Sequence, residues 1–204
     1  MHTPMRCELI SWNTFYRLCR RLARQVMDSG FHPDLIVAIG RGGYVPARVL
    51  ADHLGLMNLN CLRVEHYRGP HKDLEVRIKA SLAGEVRGNR ILVVDDVSDS
   101  GDTFLKTLDH IRARLGQGDM KTATLHHKTS SIYTPDFYAQ KVVKWRWLTY
   151  PWAVIEDLCV FLEAMEPLPD SMVEIQQELQ TRHGLRIRPD LLEDALRSRT
   201  HGAW

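Results

Sequence analysis

Two adjacent carboxylates, Asp95 and Asp96, and the loop Asp99-Ser100-Gly101-Asp102-Thr103 just beyond them are the residues best suited to chemistry in this chain. The apolar run Ile91 to Val94 precedes them and reads as a strand buried on both faces, the habit of parallel sheets. The acids therefore stand at a strand's carboxyl end, where open α/β sheets place their ligands. Phe104, Leu108, Ile111 and Leu115 then repeat at helical spacing. Residues 99–103 thus form a turn at a helix N-terminus, where free N–H groups and the dipole suit a phosphate. The neighbouring carboxylates repel that phosphate unless they hold sugar hydroxyls or Mg²⁺. A phosphate cradle beside a diol-binding acid pair points to a sugar phosphate. An ordinary βα turn with a capping Asp accounts for one acid and not for the pair. A Walker A loop is excluded, because no Gly-Lys-Ser/Thr is present.

Arg41-Gly42-Gly43 is a second candidate anion site. It lies between the buried strand Leu35 to Gly40 and a helix from Pro46 to Leu54. Glycines let the backbone approach a ligand, and Arg adds a charged fork.

The elements that must position these loops can be read along the chain. Ser11 is a candidate N-cap for a helix with apolar Trp12, Phe15, Cys19, Leu22 and Val26, ended by Asp28-Ser29-Gly30. Further strands are expected over Leu59 to Tyr67, Thr122 to Lys128 and Lys141 to Trp147. The polar stretch from Arg68 to Ala83 reads as a loop. Strands alternating with helices give the α/β class, a parallel sheet flanked by helices. After Pro151-Trp152, residues 155–198 carry helical periodicity, broken at Pro167-Leu168-Pro169-Asp170 and at His183-Gly184. Two or three helices are expected there, the last from Pro189, forming a small helical C-terminal extension over 158–204 beside a main domain over 1–157. That piece is too small to fold alone and must pack on the main domain or on a second subunit.

The strand, acid pair and loop closely resemble the phosphoribosyl pyrophosphate motif of type I phosphoribosyltransferases, with Ser100 standing where Thr is usual. Arg41-Gly42-Gly43 and Val45-Pro46-Ala47-Arg48 are similar to that family's pyrophosphate loop. His127-Lys128-Thr129-Ser130, followed by Trp147-Leu148-Thr149-Tyr150-Pro151-Trp152, resembles the base-binding half of its 6-oxopurine branch, the bacterial and archaeal xanthine-guanine and hypoxanthine enzymes. The resemblance covers roughly residues 8 to 157.

It implies transfer of ribose 5-phosphate from phosphoribosyl pyrophosphate to a purine base, as in purine salvage, with Mg²⁺ as cofactor. Asp95 and Asp96 then hold the ribose hydroxyls, directly or through Mg²⁺. Asp99 to Thr103 hold the 5′-phosphate, and Asp99 is also the candidate general base at the purine N7. Arg41, Gly42, Gly43 and Lys72 meet the pyrophosphate. Lys128 donates to the purine O6, Trp147 stacks on the ring, and the Leu148 backbone meets the Watson–Crick edge. A Lys suits a carbonyl, whereas an amino group would set two donors face to face, so 6-oxopurines are expected over adenine. The segment from Tyr67 to Val76 is expected to close over the site. Two positions depart from the pattern. Ala153 stands where relatives often carry a metal-holding acid, with Glu156 and Asp157 one turn later. Asp102 adds a negative charge to the phosphate loop and is expected to face solvent or cap the helix.

The formal charge of +2 requires neither a nucleic-acid nor a membrane partner. A homo-oligomer, dimer or tetramer, is expected. Met1 to Arg6 lack an apolar signal core, no apolar run approaches membrane-spanning length, and the four cysteines are scattered. A cytoplasmic protein with reduced thiols is expected. His126 and His127, adjacent in a strand, face opposite sides and make a poor metal pair. One rival is a regulator that senses phosphoribosyl pyrophosphate and binds nucleic acid through its arginine-bearing C-terminal helices. A nearer rival is a phosphoribosyltransferase for another base.

Overall fold

The computed structural model describes residues 5–68, 74–116 and 118–199. The chain divides into two compact units, one running from Tyr16 to Trp145, the other combining the residues up to Phe15 with those from Arg146 onward.

The larger unit is built on a six-stranded sheet. Its strands are β2 (Leu35–Gly40), β3 (Leu59–Arg68), β4 (Leu74–Ala80), β5 (Arg90–Ser98), β6 (Asp119–Lys128) and β7 (Phe137–Val142). Their spatial order is β4-β3-β2-β5-β6-β7, and every pairing is parallel except β3 with β4. Leu35, Val37, Ile39, Ile91 and Val93 share a core with Phe104, Leu108 and Ile111 of helix α3 (Asp102–Leu115). Ile36, Ala38, Leu92 and Val94 alternate onto the opposite face and are equally buried. Both faces of the sheet are therefore covered, which is why these strands read as unbroken apolar runs. Helix α1 (Trp12–Asp28) begins at Ser11, whose Oγ accepts the Thr14 N–H at 3.1 Å. Helix α2 spans Tyr44–His53.

In the smaller unit, β1 (Cys7–Leu9) pairs in parallel with β8 (Trp147–Thr149). Helices α4 (Val154–Glu163), α5 (Met172–His183) and α6 (Pro189–Arg199) complete it. Leu158, Phe161, Leu162, Ile175, Leu179, Leu185 and Leu192 form its core, against which Met5, Cys7 and Trp147 also pack. Helix α5 carries a capping box. Ser171 Oγ accepts the Glu174 N–H, and Glu174 Oε2 accepts the Ser171 N–H, each at 3.2 Å.

Two expectations are corrected. The stretch from Arg68 to Ala83 is not all loop: β4 occupies 74–80 as an edge strand with Val76 buried and Arg77 and Lys79 exposed. Those exposed charges mask the strand pattern in the sequence and protect the edge from further pairing. The strand expected over Lys141 to Trp147 is two strands, β7 and β8, separated at Val143–Arg146, and β8 belongs to a different sheet. All four cysteines are free thiols. Among the described residues no helix is long and apolar enough to cross a membrane.

Candidate active site

The position of the site follows from the strand order. Chain order sends β2 to β3 on one side, while β5 lies on the other side and continues to β6. The crevice between the carboxyl ends of β2 and β5 is therefore a topological switch point, where open α/β sheets bind ligands. Arg41-Gly42-Gly43 leaves the end of β2, and Asp95 to Thr103 lies at the end of β5 and the start of α3. The two loops touch. A Cβ on Gly42 would lie 2.5–2.7 Å from the Asp96 carboxylate, and one on Gly43 would lie 2.3 Å from the Val94 carbonyl oxygen. At Gly43 only glycine fits, because the clashing atoms are backbone, whereas a Cβ on Gly42 would displace the Asp96 carboxylate. The peptide between Gly40 and Arg41 is cis.

Asp95 is buried, and Asp96, half-buried, donates its N–H to Asp95 Oδ1 at 2.9 Å. Burial raises the Asp95 carboxyl well above the usual carboxylate range, and the Asp96 charge raises it further. Sugar hydroxyls or a hard divalent cation would relieve both penalties, so the donor set fits ribose and Mg²⁺. The loop after β5 is braced from behind. Ile132 N–H donates to the Ser100 carbonyl at 2.8 Å, and the Ser98 and Ser131 hydroxyls share a bond of 2.8 Å. Gly101, at φ 97°, is the N-cap of α3, and a Cβ there would strike Tyr133 at 2.7 Å. Ser100 and Asp102 are exposed and Thr103 is half-buried; Asp102 makes no side-chain cap and faces solvent.

Lys128, at the end of β6, places its Nζ 2.6 Å from Asp99 Oδ2, with only 3% of the Lys side chain exposed. The second Asp99 oxygen, Oδ1, accepts the indole N–H of Trp145 at 3.1 Å. The Lys128 ammonium also lies 4.4 Å from the centroid of that indole. Sequence reasoning missed Trp145. The spacing from Lys128 drew it to Trp147, and nothing local marks a Trp in a connecting segment as a partner for Asp99.

Trp147 and Leu148 lie in the smaller unit. The Trp147 indole N–H donates to Asp157 Oδ2 at 2.9 Å, and its ring packs on the helical core. Burial raises the Asp157 carboxyl, while the Trp147 hydrogen bond works against that rise. Ala153 is the N-cap of α4 without a side-chain cap. Lys72 lies outside the described residues, as do residues 69–73 in general, the middle of the segment from Tyr67 to Val76 expected to close the site.

His126 and His127 alternate across β6, and among the described residues no cluster of three metal-ligating side chains occurs. His126 is buried, and burial pushes its imidazole down to about 4, with the Lys128 charge adding to the effect. The unfolded chain therefore binds a proton that the folded chain refuses between about pH 6.5 and 4. This stability is complete above pH 6.5 and is lost as the pH falls, by about 3 kcal/mol in all. Denaturant midpoints at pH 7.5 and 4.5 should differ less in His126→Gln than in the wild type. An unchanged difference would show that His126 titrates like an exposed imidazole.

Residues 7–156 match the family model of the phosphoribosyl transferase domain. The chain belongs to that family. A xanthine-guanine phosphoribosyltransferase of Idiomarina loihiensis is 27% identical over 143 residues, 70% of this chain and 84% of that one. The purine phosphoribosyltransferase of Pyrococcus horikoshii superposes with a TM-score of 0.63 at 29% identity, covering 72% of this chain and 93% of its own. A Neisseria gonorrhoeae protein solved with bound ppGpp, 21% identical, covers 99% of this chain and 100% of its own with a TM-score of 0.62. That full coverage extends the shared fold to the C-terminal helices of this phosphoribosyltransferase.

Proposed function

We propose that this phosphoribosyltransferase moves ribose 5-phosphate from phosphoribosyl pyrophosphate to a 6-oxopurine, giving the nucleoside monophosphate and pyrophosphate. The observation that carries this reading is the Lys128–Asp99 pair, 2.6 Å apart beside the phosphate loop. One member donates to a carbonyl and the other accepts from a ring N–H, which is the pattern of O6 and N7 on a 6-oxopurine. The names of the Idiomarina and Pyrococcus relatives support a purine acceptor.

In this mechanism the backbone and hydroxyls of residues 99–103 hold the 5′-phosphate at the α3 N-terminus. Asp95 and Asp96 hold the ribose hydroxyls and would hold Mg²⁺, which when bound supplies charge neutralisation to the departing pyrophosphate. Arg41, Gly42 and Gly43 position the pyrophosphate, with Lys72 as a further contact. Bond breaking runs ahead of bond making, so positive charge develops on the ribose near the acid pair. Lys128 orients the base through O6. Asp99 takes the N7 proton. The protein acts in the cytoplasm as a homo-oligomer in purine salvage, without a nucleic-acid partner.

Turnover with hypoxanthine, guanine, xanthine, adenine and uracil tests the acceptor class. At least one 6-oxopurine should exceed adenine and uracil in kcat/KM by tenfold or more, about what one mispaired polar contact costs. Equal or better turnover of adenine would remove the assignment of Lys128 to O6.

A further inference from the structure

Trp145 occupies both groups assigned to the purine. Its N–H donates to Asp99 Oδ1 at 3.1 Å, and its ring lies 4.4 Å from the Lys128 ammonium. Indole and purine are both fused five- and six-membered aromatic rings, and each carries an N–H on its five-membered ring. The side chain therefore meets Asp99 through the same kind of donor that a purine N7–H presents. It sits on the connection between β7 and β8, is 46% exposed, and follows Val143, which is 77% exposed. The exposure of this segment leaves the indole room to swing outward, at the cost of the half of its surface that is now buried.

We propose that Trp145 is a specificity gate that stands in for the purine on Asp99 and Lys128, and that base binding displaces it. The proposal rests on the reading of those two residues as the base contacts. Its consequence is a competition. While the indole holds Asp99, the pocket is closed to a base, so the apparent affinity is lowered by the fraction of molecules in which it is open. A base that reaches both Asp99 and Lys128 displaces the indole, whereas one that matches only one of them replaces only part of what is lost. The gate thereby adds to the discrimination that Lys128 provides.

Titration of the wild type, Trp145→Phe and Trp145→Ala with 9-deazainosine 5′-monophosphate, a C-nucleotide that keeps the N7–H of the free base, and separately with ribose 5-phosphate, tests this. Ribose 5-phosphate lacks a base and should bind all three alike. The nucleotide should bind Trp145→Ala about tenfold tighter than the wild type, the effect of releasing one charge-assisted hydrogen bond at a half-exposed site. Trp145→Phe, which keeps a ring over Lys128 but has no N–H, should fall between them. The nucleotide should also shift the emission of Trp145 to the red, isolated by subtracting the Trp145→Phe spectrum, as the indole moves into water. Equal or weaker nucleotide binding by Trp145→Ala, with ribose 5-phosphate unchanged, would overturn the gate and make Trp145 a stacking platform. If the nucleotide binds no tighter than ribose 5-phosphate to any of the three, the base pocket itself is misassigned, and the gate falls with it.

Discussion

Asp99→Asn should lower kcat by about two orders of magnitude or more, the usual cost of removing a general base. The substitution preserves shape. Its amide oxygen can still accept from Lys128, so the buried ammonium keeps one partner where Asp99 now stands at 2.6 Å. What the amide cannot do is take a proton from the purine ring. Binding of phosphoribosyl pyrophosphate should survive, because the phosphate loop relies on backbone donors and on the bracing of Ser98 and Ser100. Rapid-quench turnover alongside equilibrium binding of the donor separates the two effects. Near-normal turnover would reduce Asp99 to an anchor for Lys128 and Trp145.

Ending the chain after Asp157 should be as damaging to the smaller unit as Asp99→Asn is to catalysis. The cut falls within α4 and removes Leu158, Phe161, Leu162, Ile175, Leu179 and Leu192 from one core. Each such side chain contributes roughly 1.5–3 kcal/mol on burial, so their sum rivals a whole domain's stability of about 5–15 kcal/mol. Met5, Cys7 and Trp147, which pack on the same core, lose their support. The sheet of the larger unit uses none of these residues. The truncated protein should therefore lose thermal stability, while any soluble fraction still binds ribose 5-phosphate. Full retention of the melting temperature would show that Met5, Cys7 and Trp147 are held without the helices.

The strand, the acid pair and the helix-opening loop were legible because their signals are local. Ile91 to Val94 buries on both faces, two acids end the run, and a loop of small residues opens a helix; each step follows from residues adjacent in the chain. Strand β4 was hidden because the exposed Arg77 and Lys79 alternate with the apolar positions that pack inward, and a solvent-facing edge looks like a loop. The smaller unit was harder still. The three-residue β1 has no periodicity of its own, and it is a strand because β8, far along the chain, supplies the ladder. Trp145 was missed for a related reason. Its importance lies in where the segment between β7 and β8 brings its indole relative to Asp99, and spacing along the sequence carries no trace of that.

The most direct test is to count products. The purified protein, given phosphoribosyl pyrophosphate, Mg²⁺ and one 6-oxopurine base, should form nucleoside 5′-monophosphate and pyrophosphate in equal amounts, both dependent on the base. Mass spectrometry of the nucleotide and an enzymatic assay of pyrophosphate would measure them. Pyrophosphate released without nucleotide, or no turnover with hypoxanthine, guanine or xanthine while the donor binds, would contradict the account.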